Sequence, residues 1–184
     1  MTRKKNILSF PDSLNIKLSG IDTLRLHDHG QAIFIHLTFD EKINSIENSF
    51  LIKQILKKGV LDFQLTDFMF NKAKGFHGPF KSSLLKFTDY KKIDKPIFFD
   101  SVFQIIHKDR KDTPLITNDR SNTFMEKIEL MTKKETSFFI LKKEFSKEPK
   151  KFEHEWTHAL TEYYEFLLLN NSSNNIFSLL LAYD

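Results

Sequence analysis

The stretch FEHEWTHALTEYYEFLLL, residues 152–169, decides how the second half of the chain is read. Phe152, Trp156, Ala159 or Leu160, Tyr163 and Leu167 recur at three- and four-residue spacing, the stripe of an amphipathic helix. That spacing predicts a helix from about residue 149 to 169, with His154 and His158 facing away from the stripe. The same residues spell HExxH, His154-Glu155-Trp156-Thr157-His158. On a helix, histidines at i and i+4 share a face and hold zinc, while the glutamate activates a bound water.

A zinc site of this kind needs a third protein ligand. Downstream, only Glu162, Glu165 and Asp184 carry suitable side chains. Glu162 and Glu165 would sit on the same helix and could not turn back to the ion, and Asp184 is the last residue of the sequence. His27, His29 and His36 do not supply a second metal cluster, because Asp28-His29-Gly30 reads as a turn. The adopted reading has no metal, no cofactor and no catalytic residue. A small zinc-dependent hydrolase, with His154 and His158 as ligands and Glu155 as base, is the alternative.

Around that stretch the composition is globular, with 40% hydrophobic and 28% charged residues among 184. The lack of cysteine excludes disulfides and thiolate chemistry. No apolar run reaches the length of a membrane span, and MTRKKN has no signal or transit pattern, so the protein is expected to work where it is made. The 20 Phe, with many Lys, Asn and Ile, have AT-rich codons and point to an AT-rich genome. Charge is uneven. Residues 1–95 carry 16 Lys and Arg against 10 Asp and Glu, while residues 96–184 carry 12 against 14. A basic half suits a polyanion, nucleic acid being the usual one.

Toward the N-terminus, Leu14, Ile16 and Leu18 alternate with polar residues as in a half-buried strand that Gly20 ends. TLRLHDHG and QAIFIHLTF follow as two more strands of an antiparallel meander. Asn44 or Ser45 begins a predicted helix through Lys58, and Leu61, Phe63 and Leu65 share one strand face. After the turn GFHGP (75–79), Pro79 opens a predicted helix to about Tyr90. KPIFFDSVFQIIH starts a second series of strands, and KIELM and SFFILKKEF flank a polar turn. The order strands-then-helix thus occurs twice. It predicts an α+β fold of two similar units, each a small antiparallel sheet packed against one helix. The first unit is residues 1–95, with a helical insertion at 41–58; the second is residues 96–184, with a C-terminal tail at 170–184.

FPDSLNIKLSG and TLRLHDHG resemble the opening of the bacterial-type large-subunit ribosomal protein six. Pro11, Leu14, Ile16, Leu18, Gly20 and Gly30 fall at the family's spacing without a gap. HGPFKSSLLKF resembles the family's run into its first helix, through Gly78, Lys81, Leu84 and Leu85. KIELMTKKETSFFILKK resembles the strand, turn and strand around a threonine, here Thr136, that precede the family's second helix. The chain departs from the family at 41–58 and around 103–125, and it ends in NNSSNNIFSLLLAYD where the family has a basic, glycine-rich tail.

The resemblance implies a structural constituent of the large ribosomal subunit, bound to ribosomal RNA near the translational GTPase region. Its expected partners are large-subunit ribosomal RNA and neighbouring ribosomal proteins, with no small-molecule substrate and no membrane span. The expected location is a ribosome in the mitochondrial matrix, or alternatively the bacterial cytoplasm. The candidate RNA contacts are Arg3, Lys4 and Lys5 in the basic arm, Lys72, Lys74 and Lys81 around GFHGP, and Lys108, Arg110 and Lys111 in a later loop. A non-ribosomal nucleic-acid-binding protein is the reading that the basic half gives by itself.

Overall fold

The computed structural model describes residues 14–39, 46–66, 69–111, 113–143, 160–170 and 173–184. The chain runs β1 (Ile16–His27), β2 (Gly30–Phe39), α1 (Asn48–Lys58), β3 (Phe63–Thr66), β4 (Met69–Lys72), β5 (Phe76–His77) and β6 (Phe80–Lys81). Two 3-10 turns, Ser82–Leu84 and Phe87–Asp89, lead to β7 (Tyr90–Ile93). Then come α2 (Lys95–Ile106), α3 (Asn118–Met131), β8 (Thr136–Leu141), β9 (Glu162–Asn170) and β10 (Asn175–Tyr183). The expected α+β class is the class found, with antiparallel sheet covered by helices.

The main sheet has the order β1-β2-β10-β9-β8-β7, every pair antiparallel. It draws on both halves of the chain: β2 is bonded to β10, with Ala32 across from Leu181. Residue 95 is therefore no boundary within this sheet. A second, mixed sheet, β4-β3-β5-β6, comes entirely from residues 63–81.

Alternation along the strands sends side chains to two cores. Ile33, Ile35 and Leu37 of β2 pack with Leu167 and Leu169 of β9 and Leu180 of β10, under α1 and the small sheet. Ala32, Phe34, Phe166, Leu168, Leu179 and Leu181 enter the opposite core, under α2 and α3. The main sheet is thus the middle of three layers, which explains the unbroken apolar runs of its central strands.

That double burial also corrects the sequence reading of 149–169. Residues 162–170 are strand, because FLLL fills both cores, and an all-apolar run carries no period to separate strand from helix. HEWTH itself lies outside the described residues. The expected tail 170–184 contains β10, between β2 and β9 at the centre of the sheet.

Other corrections have similarly local causes. The predicted strand at KPIFFDSVFQII is α2, with Pro96 in the first turn, where its missing N–H costs nothing, and Phe98, Val102 and Ile106 as a buried i, i+4, i+8 stripe. KIELM is the end of α3, whose stripe is Phe124, Ile128 and Met131 and whose Thr117 hydroxyl accepts the Arg120 N–H. The predicted helix after Pro79 is replaced by β6, the 3-10 turns and β7. Gly20 does not end a strand: it sits at a register shift inside β1, a bulge that lets one strand span both expected ones. The helix expected within 41–58 is present over Asn48–Lys58 as α1, with Glu47 at its N-cap position; Asn44 and Ser45 lie outside the described residues. Among the described residues, no helix is long and apolar enough to cross a membrane.

Candidate functional site

Six lysines line one groove. Lys53, Lys57 and Lys58 come from α1, Lys72 and Lys74 from β4 and the turn after it, and Lys86 from the link between the 3-10 turns. The groove has a volume of about 1140 Å³, and Leu56, Leu85 and Phe87 form its apolar wall. Helical spacing places Lys53 and Lys57 one turn apart, away from buried Leu51, Ile52 and Ile55. The chain leaves α1 through Gly59, whose φ of 57° is left-handed; a Cβ there would lie 2.6 Å from the Asp62 carboxylate.

Among the described residues, Asp62 is the single acid of the lining, and its charge is already engaged. Its carboxylate accepts the Gly75 N–H at 2.9 Å and the Ser82 hydroxyl at 2.5 Å, which ties the β4–β5 turn to the 3-10 segment. Lys58 donates to the Leu14 carbonyl. The Lys53 ammonium sits 5.6 Å from the centre of the Phe87 ring. The ammonium groups of Lys57, Lys72, Lys74 and Lys86, all on residues of the groove lining, form no ion pair with a carboxylate among the described residues.

The structure brings Lys72 and Lys74 of the expected contacts to this groove and places the others elsewhere. Arg3, Lys4 and Lys5 lie outside the described residues. Lys81 is exposed on β6 and Lys111 is exposed in the loop after α2, and neither lines the groove. Lys108 and Arg110 are both paired with Glu162 at 2.9 Å. Arg110 also donates to the Ile105 and Lys108 carbonyls and stacks 3.5 Å from the centre of the Tyr183 ring, so its side chain is nearly buried. Burial alone would raise the Glu162 carboxyl, but Lys108, Tyr164 and Arg110 outweigh it and hold it below the ordinary value.

A second polar cluster is sealed from solvent. Glu165 of β9 accepts from His77 Nε2 at 2.8 Å, from the Tyr163 hydroxyl at 2.9 Å and from the Tyr90 hydroxyl at 2.7 Å. Burial and the Glu165 charge push both tyrosines well above their ordinary value, so they stay protonated and donating. Gly78, left-handed at φ 56°, lets the chain pass Tyr163, which a Cβ would meet at 2.8 Å. Every polar atom named in the cluster has a partner, and with no opening to solvent it fastens β5 to the main sheet.

The acids downstream of HEWTH are all engaged in bonds: Glu162 and Glu165 as above, and Asp184 with His29 Nδ1 at 3.2 Å. Among the described residues, no group of three or more His, Asp or Glu is placed to hold a metal.

No family model, curated protein or solved structure matches this chain.

The lysines of α1 and Lys86 are missing from the sequence-based contact set. Lys53 and Lys57 were detectable, being one turn apart on the polar side of a predicted helix. Lys86 had no such signal, since only the fold of the 82–89 segment carries it to the groove.

Proposed function

We propose that this chain is a non-catalytic RNA-binding protein that holds phosphates in the lysine-lined groove. The carrying observation is the convergence of six lysines on one groove where the single acid among the described residues is already hydrogen-bonded. Such a site gains affinity by releasing counterions from a polyanion. The large ribosomal subunit is the assembly to which the sequence resemblance points. Its N-terminal landmarks, Gly20, Gly30 and Gly78, lie in β1, at the start of β2 and beside β5. Of its second-half landmarks, the strand that begins at Thr136 is β8, but KIELM is the end of α3 and β9 stands in place of the helix end, so the groove supports RNA binding more directly than it supports that assembly.

Anisotropy of a labelled single-stranded RNA tests the groove. If about four phosphates are neutralised, log K falls with log salt at a slope of roughly −3. The triple variant Lys57→Gln/Lys72→Gln/Lys74→Gln should keep its melting temperature while losing most of the affinity and most of the slope. Unchanged binding in that variant would reject the groove. Sedimentation of lysate through a high-salt gradient tests the assembly: travel with the large subunit supports it, and residence at the top of the gradient rejects it.

A further inference from the structure

We infer that the groove takes its RNA as a single strand with bases unstacked, one of them lying against Phe87. This rests on the reading of the groove as an RNA site and specifies the form of the ligand.

A groove built only to grip phosphates needs cations and little else. Here the lining lysines are exposed, while Leu56 and Phe87 are half-buried and Leu85 is buried, so the groove joins solvated cations to an apolar wall. A duplex keeps its base faces stacked inside and would set its polar backbone against that apolar wall. An unpaired strand offers phosphates to the cations and π-faces to the wall in the same stretch.

Phe87 is placed to meet a base. Its ring is half-buried against the core and lines the groove, and the Lys53 ammonium stands over it, 5.6 Å from the centroid. The segment that carries it is tied at several points. Asp89 Oδ2 accepts the Lys86 N–H at 2.7 Å, the Asp89 N–H returns to the Lys86 carbonyl at 3.0 Å, and the Asp89 carbonyl accepts the Lys142 N–H at 2.8 Å. The ring is therefore presented on a fixed turn, so little ordering is left for the moment of binding.

The test compares three labelled probes of roughly 12 nucleotides against the full chain: a single strand, its duplex, and a strand of equal length with abasic positions. The single strand should bind at least ~10-fold tighter than the duplex at the same salt, and the abasic strand should be weaker by roughly 5- to 150-fold, the range for losing one stacked base. Phe87→Ala should reproduce the abasic loss and Phe87→Trp should restore binding. The abasic probe acts on the unmodified protein, so the result stands even if Phe87→Ala does not fold. A duplex as tight as the single strand, or an abasic strand as tight as the intact one, overturns stacking. If the triple lysine variant still loses binding in that case, the groove survives as a phosphate site. Absence of binding to all three probes overturns both.

Discussion

Glu165 Oε2 accepts a hydrogen bond from His77 Nε2 at 2.8 Å, and neither side chain is reached by solvent. The bond joins β9 of the main sheet to β5 of the small sheet, two residues from Gly75 in the groove lining. Removing one member of such a pair leaves the other buried and unmatched, which costs about 3–5 kcal/mol. Glu165→Ala should therefore lower the unfolding free energy by that amount, read as a fall in the urea midpoint at unchanged slope. An unchanged midpoint would mean that water reaches the cluster.

The same carboxylate sets a pH dependence. Burial alone raises Glu165, but His77, Tyr90 and Tyr163 outweigh burial and hold it below its ordinary value of 4.5. A depressed carboxyl contributes stability that is fully present above pH 4.5 and is lost as pH falls through the lower folded value. Urea midpoints measured downward from pH 7 should drop through that window in the unmodified chain and more shallowly in Glu165→Gln. Parallel profiles would assign the acid loss to other groups.

Arg110 reads from sequence as an RNA contact, but its guanidinium is held between Glu162 and Tyr183. Arg110→Ala should cost about 3 kcal/mol of stability, as expected for breaking a mostly buried ion pair. Lys111→Gln, on the exposed neighbouring position, should leave both stability and RNA affinity unchanged. RNA affinity that falls in Lys111→Gln would place an interface on that loop.

Gly59 occupies the left-handed region and sits against Asp62. Gly59→Ala should cost about 1–2 kcal/mol from the backbone alone and lower the melting temperature by roughly 2–8 °C. Because Asp62 also holds Gly75 and Ser82, the substitution should weaken RNA binding beyond what the lost stability explains. Wild-type affinity in a folded Gly59→Ala protein would show that the groove wall tolerates a shifted Asp62.

Leu180, fully buried at the centre of the main sheet, provides the test of β10 as a core strand. Leu180→Ala should cost about 2–5 kcal/mol. A change near zero, as for a surface tail, would contradict the sheet order.

The part of the fold most legible in the sequence is α1, which carries one buried stripe, Leu51, Ile52 and Ile55, opposite lysines. The alternation expected of the first strand holds only at its start: Ile16 is buried, but β1 is an edge strand exposed from Lys17 to Thr23, Leu18 included. The middle layer was illegible for a physical reason: Phe166 to Leu169 and Leu179 to Ala182 feed both cores, which erases the period that identifies a strand. α2 misled by composition, since Phe, Ile and Val favour strands while the spacing of Phe98, Val102 and Ile106 is helical. At the candidate site, sequence supplied Lys72 and Lys74 through their place beside a glycine turn. Lys86, and the union of Glu165 with His77, depend on contacts between distant segments that no local pattern encodes.

The place of β10 also governs the order in which the molecule can be assembled. The hairpin of β1 and β2 needs only a two-residue turn, yet the other edge of β2 waits for β10, and β9 likewise waits for it on the opposite side. A chain growing from its N-terminus therefore carries an unpaired, apolar strand edge through the synthesis of every intervening helix and sheet. Pairings this remote in sequence close slowly, and open edges of this kind recruit other chains. Nascent chains stopped before β10 should accumulate in aggregates or on chaperones, and solubility should appear only once the last central strand has been made.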